Sequence, residues 1–190
     1  MKRAVIGFAM TGSFCTFEPV IHALENLAAQ CGAVIPIMSE NAYFIDSRFG
    51  ESELFIRRIE RICGHPVCRS IPEVEPFGPG KTLDALIVAP CTGNTLAKLS
   101  AGIADSCVTF ACKAHLRNAR PVILGISTND GLAAAARNIG DLLNRKNYYF
   151  IPFGQDSAAA KPTSLVADFA LLPDTVRAAL QGIQLQPLLK

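Results

Sequence analysis

Apolar runs of strand length alternate along the chain with segments of helical period. Runs at residues 3–9, 33–38, 84–89 and 121–126, with a weaker one at 148–151, predict strands. Leu86-Ile87-Val88 is continuously apolar rather than alternating, which suits a strand covered on both faces. Phe17, Val20, Ile21, Leu24, Leu27, Ala28 and Cys31 keep the i, i+3, i+4, i+7 spacing of a one-sided helix. Pro19 must lie in its first turn, where a missing N–H is tolerated. Leu132, Ala135, Ala136, Ile139, Leu142 and Leu143 repeat that spacing behind Asn129-Asp130, which read as its caps. Further helices are predicted over residues 52–63 and 94–101, and a short one near 175–180. Residues 64–83 carry Pro66, Pro72, Pro76, Pro79 and Gly80 and predict irregular structure with one short strand at most. The stretch from Pro152 onward is also interrupted by prolines.

Strands alternating with helices predict a parallel sheet joined by right-handed crossovers. The fold class is therefore α/β: a single-domain, doubly wound, Rossmann- or flavodoxin-like three-layer sandwich over residues 1–190. No repeat or linker divides it. Its 18 Lys+Arg and 16 Asp+Glu give a formal net charge of +2, and no basic run supplies a footprint for nucleic acid. Ala85–Ala89, the densest apolar stretch, is far shorter than the ~18–20 residues that span a bilayer. Met1-Lys2-Arg3 leads straight into a strand-like run, so no secretory leader is expected. The seven cysteines are odd in number and contain no C-x-x-C, which points to reduced thiols packed as small hydrophobes. No metal site is expected.

In an open α/β sheet, ligands sit beyond the carboxyl ends of the strands. The exits here read Thr11-Gly12-Ser13, Ser39-Glu40-Asn41, Pro90-Cys91-Thr92-Gly93-Asn94-Thr95 and Ser127-Thr128-Asn129-Asp130. All four are small, hydroxyl- or amide-bearing and almost uncharged. Such loops let backbone N–H groups and helix dipoles approach an anion, although Gly, Ser, Thr and Asn are also ordinary turn and cap residues. The G-x-G-x-x-G fingerprint and a Walker lysine pattern are both missing. A mononucleotide with one terminal phosphate fits these exits better than a dinucleotide.

Thr11-Gly12-Ser13, Ala89–Lys98 and Gly102-Ile103-Ala104-Asp105-Ser106 resemble the flavoprotein superfamily of homo-oligomeric flavin-containing cysteine decarboxylases. Within it, the chain resembles the family of dipicolinate synthase B subunits. Thr11–Thr16, Asp46–Gly50, Leu116-Arg117-Asn118, Pro121–Asp130, Asn147–Asp156 and Lys161-Pro162 carry that likeness. The resemblance implies a sporulation role in the mother-cell cytoplasm of a spore-forming bacterium. An A subunit with a nicotinamide-binding domain would be its partner, holding any NAD(P), and the chain would form a homo-oligomer with no nucleic-acid or membrane partner. The pair would convert 4-hydroxytetrahydrodipicolinate, or dihydrodipicolinate, to dipicolinate. By resemblance, Thr11, Gly12, Ser13 and Ser39 would hold the phosphate of FMN. Pro90, Thr92, Asn94 and Thr95 would face its ribityl chain and ring, with Ser127 and Asn129 closing over flavin and substrate.

The chain departs from the decarboxylases in three places. Their catalytic His has no counterpart in Pro76–Gly80, and the chain has no Trp. Of their substrate clamp only Asn129 remains in Gly125–Asp130, and Gly93 replaces a small Ala, which reads as a mild change. Cysteine decarboxylation is thereby disfavoured. A dicarboxylate wants cationic clamps, and Arg48, Lys98, Lys113, Arg117 and Lys161 are candidates. Arg48 could equally be a solvated ion pair with Asp46 or Glu51. The catalytic candidates are Asn94, Asn129 and Arg48. His22, His65 and His115 read as solvent-facing or structural, Asp105 as a helix cap, and Cys91 as packing. Two alternatives stay open: a non-catalytic scaffold chain with a vestigial nucleotide pocket, or a stand-alone FMN-dependent decarboxylase.

Overall fold

A computed structural model describes all 190 residues. In its first half the chain runs β1 (Val5–Met10), α1 (Phe17–Ala28), β2 (Ala33–Met38), α2 (Glu40–Phe44), α3 (Ser52–Cys63), and the single turns α4 (Ile71–Val74) and α5 (Phe77–Gly80). Then come β3 (Ala85–Cys91), α6 (Gly93–Ala101), α7 (Cys107–Leu116), β4 (Val122–Thr128), α8 (Ala136–Leu143) and β5 (Tyr148–Phe150). Two short strands, β6 (Phe153–Gly154) and β7 (Leu165–Ala167), precede α9 (Leu172–Ala179).

The parallel strands lie in the order β2-β1-β3-β4-β5. Winding therefore reverses at β1, and the crevice between the β1 and β3 exits is the topological switch point where such sheets bind ligands. All seven residues of β3 are buried, as a central strand covered on both faces requires. α1 packs against α9, while α6 contacts both α7 and α8, and α7 also takes α4 and α5. No helix is long and apolar enough to cross a membrane.

Several expectations change. The sheet is not purely parallel: β7 pairs antiparallel with the end of β4 (Ser127↔Val166, Thr128↔Leu165), and β6 pairs antiparallel with β7. Strands of two and three residues are too short to show alternation in a sequence. The helix expected from Leu132 starts at Ala136, and Asn129-Asp130 do not cap it. Instead the Asp130 carbonyl accepts from Ala133 and Ala135 N–H groups in the preceding turn. The hydrophobic pattern does not reveal α2 or α7; nearly all of α7 is buried, so it shows no one-sided stripe. Ser106, not Asp105, caps α7 through a reciprocal pair with Thr109. Residues 64–83 hold the two short helices and a single bridge, Ile37↔Cys68.

Candidate functional site

The site grows from an irregularity in the central strand. Pro90 has no N–H to give to the ladder, and the β3–β4 register shifts between Val88 and Cys91. The freed Pro90 carbonyl accepts from Thr11 N–H (3.2 Å) and from the Thr11 hydroxyl (2.7 Å). Thr11 Oγ1 then accepts from Thr92 N–H at 3.1 Å. One buried threonine thus clips the β1 exit to the β3 exit across the switch point.

Two adjoining cavities open there, sharing Gly12 and Thr92. The first, about 240 Å³, is lined by the expected Thr11, Gly12, Ser39, Thr92, Asn94 and Thr95 and holds no apolar residue. The second, about 400 Å³, takes the expected Ser13, Ser127 and Asn129, together with Cys15, Thr16, Asp156, Lys161 and Ser164. The second wall comes from β7 and the loop before it, so its Asp156 and Ser164 escaped the sequence reading along with those strands.

Polar groups at this rim are left open to a ligand. Thr92 caps α6, its hydroxyl accepting from Thr95 N–H at 3.3 Å. Ser39 caps α2, accepting from Ala42 N–H at 3.4 Å. The N–H groups of Gly12, Gly93 and Asn94, and the Asn94 side-chain amide, find no partner within the protein. Unpaired donors at the start of a helix favour an anion. Ser127 Oγ lies 2.8 Å from Ser13 Oγ and 3.1 Å from Thr16 Oγ1, a hydroxyl cluster at the floor of the second cavity. Charge enters at the edges. Lys98 in the first cavity bonds Asp105 at 2.8 and 3.0 Å and holds that carboxyl below its usual range. Lys161 in the second bonds Asp156 at 3.0 Å.

Other candidates fall elsewhere. Pro90 is buried behind the cavities and shapes them through its carbonyl alone. Arg48 lines neither cavity; its guanidinium stacks 4.9 Å from the Phe49 ring, while Asp46 accepts from Ser52 instead. Lys113 and Arg117 line a separate cleft. His22 is exposed beside Glu25, and His65 is exposed. His115 is fully buried, so the solvent-facing reading fails and the structural one holds. Its Nε2 sits 3.1 Å from the Pro121 carbonyl, which can only accept, so Nε2 carries the proton and Nδ1 is left unpartnered. Cys91 is fully buried, and burial pushes its thiol well up, in keeping with packing. Gly93 is not a mild replacement: a Cβ there would stand 2.7 Å from Asp130 Oδ1 and from Thr128 Oγ1.

Residues 1–163 match the sequence profile of the family described as Flavoprotein. The chain belongs to the flavoprotein family. Among its flavoprotein relatives is the B subunit of dipicolinate synthase from Bacillus subtilis (strain 168), 44% identical over 189 residues, covering 100% of this chain and 94% of the relative. The crystal structure of the dipicolinate synthase B subunit from Bacillus halodurans superposes with a TM-score of 0.90 at 44% identity, over 98% of this chain and 96% of that one. The FMN-dependent cysteine decarboxylase SpaF shares the flavoprotein fold, with a TM-score of 0.69 at 20% identity over 93% and 97% of the two chains.

Proposed function

We propose that this chain is the B subunit of a dipicolinate synthase, binds FMN where the two cavities meet, and acts with an A subunit. Together they would turn 4-hydroxytetrahydrodipicolinate, or the dihydrodipicolinate derived from it, into pyridine-2,6-dicarboxylate. The observation that carries the reading is the pair of polar cavities joined at Gly12 and Thr92, at the switch point of a flavoprotein-family chain. Full-length identity of 44% to a dipicolinate synthase B subunit supplies the substrate class.

The residues suit the cofactor. The unpaired N–H groups of Gly12, Gly93 and Asn94, with Ser39 and Lys98 nearby, would hold the phosphate, and Thr92, Asn94 and Thr95 the ribityl hydroxyls. Bound flavin would supply a hydride acceptor; a nicotinamide on the A subunit is the other source of that chemistry. Overall the hydroxylated precursor loses one water and two hydrogens. In the second cavity Lys161 would meet a substrate carboxylate and Asn129 would orient the ring. Asp156 is the carboxylate lining that cavity, held below its usual range by hydrogen bonds from Ser164 and Lys161, and no imidazole reaches either cavity. The Ser13–Ser127–Thr16 hydroxyls would fix the wall against which the ring rests.

A stand-alone decarboxylase fits less well. The segment that holds its histidine is here α5, where Gly78 packs on Ala114 and the Gly78 carbonyl accepts from Asn118. Reconstituting both chains with precursor and each candidate oxidant, and following dipicolinate absorbance, tests the proposal. Product should require both chains and fall sharply with Asn94→Ala. An A subunit equally active alone would overturn it.

A further inference from the structure

A third cavity, of about 440 Å³, shares no residue with the rim. It lies between α6 and α7 and reaches the first residue of β5, within the ~300–1,000 Å³ usual for small-molecule sites. Leu99, Ile103 and Leu116 give it apolar walls, and Lys113, Arg117, Arg145 and Lys146 line it without any acid among the lining residues. In a chain of net charge +2, that is a concentration of one sign.

Cations near helix C-termini often serve the helix itself. Arg145 does so: it donates to the Leu99 and Ser100 carbonyls at the end of α6 (3.3 and 2.5 Å) and pairs with Asp141 at 2.8 Å. Lys113 and Arg117 stand at the C-terminal end of α7, but they and Lys146 donate no side-chain hydrogen bond within the protein. None has a carboxylate partner, and the half-buried Tyr148, whose hydroxyl neighbours Arg145 rather than these three cations, makes no side-chain hydrogen bond within the protein. Three free cations on two walls, one unused hydroxyl donor and apolar sides describe a receptor for a flat ligand with two negative ends.

We propose that this cleft is a second ligand site, for an aromatic dicarboxylate. Resting on the function proposed above, its ligand is the reaction product itself, pyridine-2,6-dicarboxylate. Lys113 on α7 and Arg117 just beyond its last residue take one carboxylate, the arginine fork matching it bidentately. Lys146 takes the other, and the ring lies on Leu99 and Ile103. Because the cations are exposed, binding weakens as salt rises.

Isothermal titration of the full chain with pyridine-2,6-dicarboxylate at low salt tests this without partner or turnover. Wild type should bind, with pyridine-2-carboxylate and inorganic phosphate at least tenfold weaker. The surface variants Lys113→Ala, Arg117→Ala and Lys146→Ala should each weaken binding about tenfold, and Lys161→Ala, at the carboxylate contact of the rim, should leave that component of the binding in place. No binding by wild type would overturn the site. So would equal affinity for phosphate or the monocarboxylate, or loss on Lys161→Ala alone. Failure of the reconstituted pair to make product would remove the proposed function while leaving a measured dicarboxylate preference intact.

Discussion

Ser13 Oγ lies 2.8 Å from Ser127 Oγ, although 114 residues separate the two in the chain. That bond ties the β1 exit to the β4 exit, as Thr11 ties β1 to β3. Three loops from distant parts of the chain are thereby held to one another before any ligand arrives. A rim so connected meets a ligand with little ordering left to do, which favours affinity.

The first consequence concerns Ser127, which is buried and partners both Ser13 and Thr16. Ser127→Ala removes both bonds; Thr16 keeps its donation to the Ser13 carbonyl at 2.9 Å, and the fold should lose about 1 kcal/mol. A urea titration should show a lower midpoint at unchanged slope.

Thr92 and Asn94 separate stability from binding. Thr92→Ala removes the α6 cap and should cost about 1 kcal/mol. Asn94→Ala removes no bond made within the protein, so stability should stay within about 0.5 kcal/mol of wild type. Its flavin affinity should nevertheless fall about tenfold, or ~1.4 kcal/mol. Paired denaturation and flavin titrations check both halves.

Gly93→Ala restores the residue that the resembling decarboxylases carry, yet it should harm this chain. Its Cβ would press to 2.7 Å on Thr128 Oγ1 and Asp130 Oδ1, which are themselves hydrogen-bonded. A loss of about 1–3 kcal/mol is expected from such crowding, read as a fall in melting temperature.

Acid should weaken the fold through His115. Burial pushes its imidazole down from 6.5 to about 4. The unfolded chain therefore binds a proton that the native state refuses between those values. The His115 contribution is fully present above pH 6.5 and is lost as pH falls toward 4, on the order of 3 kcal/mol. Denaturation midpoints measured across that window should decline, and His115→Gln should flatten the decline.

Much of this architecture is legible in the sequence alone. The five parallel strands and α1, α3 and α6 follow from hydrophobic period, and Ser39, Thr92, Asn94 and Thr95 from their place after those strands. What escapes has physical causes. β6 and β7 are too short for a pattern, so Asp156 and Ser164 could not be placed in the second cavity. α7 is buried nearly all round, which hides its period and with it the burial of His115. Arg48 carries the right chemistry, but charge in a sequence does not say which way a loop faces. The clash at Gly93 depends on the β4 exit, contacts that no local spacing reveals.

The proposed seat of FMN is the point where Gly12 and Thr92 join the two cavities. Gly12→Ala tests it, because the added Cβ meets Asn41 only at 3.5 Å and Phe14 at 3.8 Å, ordinary contacts that leave the fold intact. The purified full-length chain is titrated with FMN, following quenching of flavin fluorescence, for wild type and for this variant at matched urea midpoints. One equivalent quenched by wild type, and at least tenfold weaker binding by the variant, is the expected result. Fluorescence unchanged by wild type, or equal affinity in both proteins, would contradict it.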